Sequence, residues 1–380
     1  MPVKRCIILG STGSIGKSCL NVVSAHPGRF EVIALASGRS GDTLIKQIER
    51  FSPRAVSLHD PDAAASVRSA AGPRVQVFEG DAGLVEMIRS LEADFVVNGI
   101  VGSAGMIPTV EALSSGKDVL LANKETMVMA GKIVTTAAAR AGRRIVPIDS
   151  EMSAIYQCLK GERKTDVKRL VLTASGGPFI DVPLEKLKTV SVEQALRHPT
   201  WNMGVKNTID SATMMNKGLE VIEASALFGM PADRIDVVIH RSSVAHSFVE
   251  FVDGSLLCQL SRPDMRLAIQ YAMTDPERLP SPWGGLDFTS PFSLTFEPPD
   301  LERFPCLRLA YEAYERGGTA PAAMNAANER AVEAFLAGAL SFMDIPRVIR
   351  EAVDAHDFIT EPSIGQLVET DREVKRKIVY

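Results

Sequence analysis

The stretch Arg5-Cys6-Ile7-Ile8-Leu9-Gly10-Ser11-Thr12-Gly13-Ser14-Ile15-Gly16 runs from a β-rich apolar segment through a three-glycine turn into helical sequence. Such a turn brings amide N–H groups to a helix N-terminus, where they and the helix dipole can hold a pyrophosphate. The spacing is G-x-x-G-x-x-G rather than G-x-G-x-x-G, so the strand–turn–helix context carries more of the reading than the glycines alone. Six further short runs follow, at 31–36, 54–58, 75–78, 94–97, 118–121 and 144–148, each bounded by Gly, Pro, Asp or Ser. Amphipathic stretches such as 41–51 and 82–91 separate most of them. Strands alternating with helices predict an α/β fold with a doubly wound, parallel, Rossmann-like sheet. Ligands sit at the carboxyl ends of such strands, which directs attention to residues 10–16, 37–40, 98–105, 122–125 and 149–151.

An NAD site would place Asp or Glu at the end of the second strand, against the ribose 2′-hydroxyl. Here Gly38-Arg39-Ser40 supplies a cation and a hydroxyl where a 2′-phosphate would lie. NADP is therefore favoured over NAD.

After residue 148 the pattern becomes α+β. A strand at 168–173 is followed by a polar, glycine-containing stretch at 198–204, a helix from about 212 to 228, strands at 235–239 and 244–252, and another at 255–260 after the turn Asp253-Gly254. Six prolines fall between 280 and 305, and Ala-rich helical sequence begins at Leu307. The expected organisation is a dinucleotide-binding domain over 1–150, a catalytic domain over 151–282, a linker over 283–306 and a helical domain over 307–380.

With 46% hydrophobic and 23% charged residues among 380, the chain has the composition of a folded globular protein. Its 42 basic and 46 acidic side chains leave a net charge of −4, which gives no footprint for nucleic acid or an anionic membrane. No apolar run reaches the ~18–20 residues of a membrane span, and no targeting peptide is visible, so a cytoplasmic location is expected. Five scattered cysteines, 6, 19, 158, 258 and 306, suit buried reduced thiols better than a disulfide framework or a thiolate metal site.

Two carboxylate groupings stand out. Asp149-Ser150-Glu151 lies at the end of the last parallel strand, where helix capping is the plain reading and a pair of ligands facing a crevice the functional one. In 210–220, DSATMMNKGLE, helical spacing puts Asn216, Lys217 and Glu220 on one face. A surface salt bridge would explain that, but Gly218 inside the helix and two methionines beside the polar face suggest close packing. Thr173 to Phe179 adds a hydroxyl and two glycines after a strand, suited to an anion nest. Together these describe a hard divalent cation, Mg²⁺ or Mn²⁺ rather than Zn²⁺, beside sites for a phosphorylated substrate and a nicotinamide. His198 is the one histidine of six in the lid-like segment His198-Pro199-Thr200-Trp201-Asn202-Met203-Gly204.

In this order GSTGSIG, Ala122-Asn123-Lys124-Glu125, Pro147-Ile148-Asp149-Ser150-Glu151, Ser175-Gly176-Gly177-Pro178-Phe179, the 198–204 segment and 210–220 resemble the 1-deoxy-D-xylulose 5-phosphate reductoisomerase family along essentially the whole chain, including Ala326-Ala327-Asn328-Glu329. The resemblance implies a homodimeric enzyme of the non-mevalonate isoprenoid pathway that uses NADPH and Mg²⁺, Mn²⁺ or Co²⁺ to rearrange and reduce its sugar phosphate to 2-C-methyl-D-erythritol 4-phosphate. It implies Asp149, Glu151 and Glu220 as metal ligands. Ser175, Ser211, Asn216 and Lys217 would hold the substrate phosphate with His198 nearby, and Lys124 and Ser150 would touch the sugar backbone. Thr12, Gly13, Ser14, Ile15, Gly38, Arg39, Ser40, Asn123, Glu125 and Gly204 would contact NADPH, and Trp201 would cover the substrate. His240-Arg241-Ser242-Ser243 departs from the family pattern, which has a proline and an amide after the histidine; this leaves the dimer sheet in doubt and the chemistry intact. Another NADP-dependent oxidoreductase, such as a semialdehyde or homoserine dehydrogenase, would explain the first half of the chain only. A non-catalytic NADP sensor would need no carboxylate triad.

Overall fold

A computed structural model describes residues 2–380. Its first sheet contains β1 (Lys4–Leu9), β2 (Phe30–Ser37), β3 (Ala55–Leu58), β4 (Gln76–Glu79), β5 (Phe95–Asn98), β6 (Asp118–Leu121) and β7 (Ile145–Pro147). They are ordered β4-β3-β2-β1-β5-β6-β7, and every adjacent pair is parallel. All seven strands lie at the runs expected from sequence. Cys6 to Leu9, Val96 and Val97 are fully buried, as strands covered by helices on both faces must be. The chain winds from β1 outward through β4 and returns to β5 on the other flank of β1, so the order reverses at the carboxyl ends of β1 and β5, where such sheets bind ligands.

The chain forms two compact units. One comprises residues to Asn123 with Val134–Asp149 and Asp264–Gly284; the other comprises Lys124–Ile133, Ser150–Pro263 and Gly285–Tyr380. Where the sequence suggested four consecutive segments, the units interleave. Residues 264–284 belong to the first because helix Met265–Thr274 packs on helix Ser14–Ala25, Gln270 bonds His26 at 2.8 Å and Arg144 pairs with Asp275 at 3.0 Å. Trp283 lies there too, edge-on to His26 and beneath the Arg266 guanidinium.

The second unit carries the sheet β11-β10-β8-β9, built from β8 (Val167–Ala174), β9 (Ile235–Ile239), β10 (Ala245–Phe251) and β11 (Leu256–Leu260). Only β8 and β9 pair in parallel. Helices Cys306–Arg316, Ala320–Leu336 and Ile345–Ala355 share one apolar core with β8 and helix Met215–Phe228, through Leu170, Leu172, Leu219, Leu307, Phe335 and Ile349. Two local expectations change. The helix expected from 212 to 228 is two helices, Val205–Ala212 and Met215–Phe228, separated at Met214, whose φ is +63°. All five cysteines are free, but only Cys6, Cys19 and Cys306 are buried; Cys158 and Cys258 are half-buried.

Candidate active site

In the first unit the glycine turn has the geometry its sequence demands. Gly10 has φ +75°, and a Cβ at Gly16 would lie 2.3 Å from the Gly10 carbonyl oxygen. Helix Ser14–Ala25 starts from Gly13 with no side-chain cap and no acid in its first turn, which leaves its leading amides and dipole suited to a phosphate anion. Gln47 braces the loop, accepting from Ser11 Oγ at 2.7 Å and donating to the Ser11 carbonyl at 2.9 Å. Thr12 and Ser37 share a hydroxyl contact at 2.8 Å. Arg39 is 86% exposed, its Nε 3.8 Å from Asp60, beside Gly38 and Ser40 at the end of β2. Asn123, assigned to the cofactor by resemblance, is buried and donates to the carbonyls of Ile100 and Gly102 at 2.8 Å, which shapes the loop after β5.

The other expected site residues, apart from Asp149, lie in the second unit. Helix Met215–Phe228 places Asn216, Lys217 and Glu220 on one face, as their spacing implied. Gly218 within it is a close-packing position, since a Cβ there would sit 2.6 Å from the Ala310 Cβ. Lys124 Nζ donates to Asn216 Oδ1 at 2.9 Å and to Glu220 Oε1 at 2.8 Å. Lys217 donates to Glu151 Oε1 at 2.7 Å and also to Glu220 Oε2. Ser150 Oγ donates to the other Glu151 oxygen at 2.5 Å. These are not surface salt bridges: the side chains of Lys217 and Glu220 are 3% and 1% exposed. Burial pushes the Glu151 carboxyl up, but Lys217 and Ser150 outweigh it and hold it at about 2.

Carboxylate oxygens of Glu151 and Glu220 come within 4.8 Å of each other. Asp149 closes a stretch of the first unit and stands two residues before Glu151 in the sequence. Lys124 and Lys217 balance the charge of Glu220 and Glu151 here, and the carboxylate oxygens themselves are hard donors of the kind that Mg²⁺ or Mn²⁺ prefers.

A second cluster is built on His198. Its Nδ1 accepts the main-chain N–H groups of Thr200 at 3.2 Å and Trp201 at 2.8 Å. The neutral ring must therefore carry its proton on Nε2, which meets Ser175 Oγ at 3.0 Å and Ser211 Oγ at 3.1 Å. Burial lowers the His198 pKa to about 4, so a neutral imidazole offers an N–H beside two hydroxyls. Trp201 is neither core nor fully open; its ring lies 6.2 Å from that of His246.

Sequence reasoning gave no role to Lys206. Its Nζ lies 2.6 Å from Glu125 and 2.8 Å from Asp210. The spacing of 206 and 210 on one helix was legible, whereas the partner at 125 was not.

Residues 6–131 match the family 1-deoxy-D-xylulose 5-phosphate reductoisomerase, residues 145–228 its C-terminal domain, and residues 260–377 the DXP reductoisomerase C-terminal domain. The chain is 49% identical to the 1-deoxy-D-xylulose 5-phosphate reductoisomerase of Geobacillus sp. strain WCH70 over 99% of both chains. It is 52% identical to that of Chlorobium phaeobacteroides over 96% of this chain and 95% of the other. A crystal structure of DOX-P reductoisomerase in complex with NADPH, fosmidomycin and magnesium superposes with a TM-score of 0.94 at 42% identity, covering 99% of this chain and 97% of that one. The Zymomonas mobilis enzyme in complex with NADPH gives 0.91 at 40% identity over 99% and 98%. With the motifs, both sheets and full-length identity in agreement, the chain belongs to the 1-deoxy-D-xylulose 5-phosphate reductoisomerase family.

Proposed function

We propose that this protein catalyses the NADPH- and divalent-metal-dependent rearrangement and reduction of 1-deoxy-D-xylulose 5-phosphate to 2-C-methyl-D-erythritol 4-phosphate, a step of non-mevalonate isoprenoid biosynthesis. The observation that carries this reading is the convergence of Lys124, Asn216 and Lys217 on the buried carboxylate Glu220 and the partly buried Glu151. Dinucleotide binding alone, as in an NADP sensor, gives no reason for such a cluster.

In this reading residues 1–150 bind NADPH through Thr12, Gly13, Ser14, Ile15, Gly38, Arg39 and Ser40, with Asn123, Glu125 and Gly204 completing the contacts. The second unit carries catalysis and dimerisation. Asp149, Glu151 and Glu220 would hold the metal, which when bound supplies a Lewis acid for the substrate's carbonyl and hydroxyl oxygens, while NADPH supplies hydride. Ser175, Ser211, Asn216 and Lys217 grip the phosphate, with the His198 Nε2–H donating to it. Lys124 and Ser150 orient the sugar backbone. Trp201 in the 198–204 segment closes over the substrate and excludes water.

The homodimer would form along β11, an edge strand whose Leu256, Leu257 and Leu260 are 55%, 42% and 39% exposed, since an apolar sheet edge invites pairing. No described helix is long and apolar enough to cross a membrane, and five free thiols agree with a cytoplasmic enzyme.

NADPH oxidation with 1-deoxy-D-xylulose 5-phosphate, with and without EDTA, tests the function. Turnover that the chelator abolishes is expected; absence of turnover with Mg²⁺ or Mn²⁺ present would refute it.

A further inference from the structure

Gly204 ends the 198–204 segment and forms the N-cap of helix Val205–Ala212, accepting from Thr208 N and Thr208 Oγ1 at 3.0 Å each. Lys206, the second residue of that helix, turns its ammonium inward. It lies 2.6 Å from Glu125 Oε1 and 2.8 Å from Asp210 Oδ2, with the three side chains 14%, 4% and 1% exposed. Asp210 Oδ1 also accepts from Asn328 Nδ2 at 2.8 Å. Glu329 on helix Ala320–Leu336 adds negative field and is itself paired with Lys375 at 2.6 Å. Burial disfavours the charged ammonium, but Asp210, Glu125 and Glu329 more than offset it and hold Lys206 protonated.

An exposed ion pair would contribute little. A buried one is different, because losing the cation would leave Glu125 and Asp210 facing each other without a counter-charge. The elements joined are also specific. Glu125 follows Lys124 in the chain, and Asp210 precedes Ser211, whose hydroxyl meets His198. The contact thus fastens the first turn after the lid to the turn that carries Lys124.

We propose that Lys206 is a positioning residue for the reaction: its bridge between Glu125 and Asp210 fixes the C-terminal root of the 198–204 lid, so that closure brings Trp201 and His198 to one defined place. This rests on the lid reading given above. A fixed root confines the lid to few conformations, which favours the closed state on binding. Without it the lid still connects to the same helix but swings from a shifted first turn.

The test uses dimeric holoenzyme with NADPH and Mg²⁺ in a Trp283→Phe background, so that Trp201 is the sole indole, and the probe is fosmidomycin. In the parent, fosmidomycin should change Trp201 fluorescence and dissociate slowly. Lys206→Met should blunt the change, speed dissociation and raise KM by about tenfold or more, with kcat falling less. Lys206→Arg, which keeps the charge, should restore most of each. If Lys206→Met does not fold, Asp210→Asn, which loosens one arm of the bridge and keeps the ammonium, should shift the same readouts in the same direction. A folded Lys206→Met protein with a lower melting temperature but unchanged fluorescence response, dissociation rate and KM would overturn the proposal and leave Lys206 a core ion pair. Absence of any Trp201 response in the parent would overturn the lid itself, and the proposal with it.

Discussion

Nδ1 of His198 accepts the main-chain N–H of Trp201 at 2.8 Å, so the imidazole that offers its Nε2–H to Ser175 and Ser211 also holds the backbone of the segment's tryptophan. Protonating Nδ1 would break that contact. In the folded protein His198 titrates at about 4, burial lowering it from 6.5. Between those values the unfolded chain binds a proton that the folded one does not, so stability falls as pH drops through this window. His198→Asn removes the titration and keeps an acceptor. The stability difference between parent and variant should shrink from pH 6.5 to pH 4 in thermal melts; a constant difference would show that His198 is not held neutral.

Glu220 receives Lys124, Asn216 and Lys217 at once. Glu220→Gln keeps the shape and removes the charge, and should lower turnover by on the order of 10²-fold or more, with NADPH affinity unchanged. It should also destabilise the metal-free protein by about 3–5 kcal/mol, because two buried ammonium groups lose an anionic partner. An active variant with unaltered Mg²⁺ dependence would exclude Glu220 as a ligand.

Gly218 carries a packing prediction. A Cβ there would lie 2.6 Å from that of Ala310, so Gly218→Ala should push helices Met215–Phe228 and Cys306–Arg316 apart and cost about 1–3 kcal/mol. Higher helix propensity would otherwise make this substitution stabilising by ~1 kcal/mol, so the sign of the change in melting temperature decides.

Arg39 is 86% exposed and stands where a ribose-reading acid would be in an NAD site. Arg39→Ala should weaken NADPH by about 1.5–3 kcal/mol, roughly ten- to 150-fold, the worth of a hydrogen bond to a charged group. NADH binding should change little. Equal losses in titrations with the two cofactors would mean that Arg39 does not read the 2′-phosphate.

The parallel sheet was legible because both its faces are buried: the runs 6–9 and 95–97 are apolar throughout and bounded by polar or turn residues, which leaves little freedom in register or direction. The carboxylate cluster was legible in part, since Asn216, Lys217 and Glu220 share a helix face and Asp149 and Glu151 share a strand end. Their convergence was not, because Lys124 meets Glu220 across 96 residues of sequence and periodicity carries no such information. The break at Met214 was hidden for a different reason. Nothing in Thr213-Met214-Met215 signals a left-handed residue, which tertiary packing imposes there on methionine. Residues 264–284 were misleading because the prolines from Pro280 onward mark an irregular segment without showing which unit it joins.

Trp201 carries the last prediction. Its backbone is held by His198, its ring lies 6.2 Å from that of His246, and residues 201–204 have no regular secondary structure. A tryptophan fixed by one main-chain bond, in a segment without helix or strand, is placed to move as a cover rather than to fill a core. Closure over substrate would exclude water from reactive intermediates and strengthen the electrostatics beneath. Fosmidomycin should therefore protect 198–204 from proteolysis. Trp201→Ala should keep the fold and NADPH binding while weakening fosmidomycin and lowering kcat/KM by about tenfold or more, as expected when a closing element loses its apolar contact. If Trp201→Ala binds fosmidomycin and turns over like the parent, and the loop is cleaved at the same rate with and without ligand, Trp201 is packing rather than a lid.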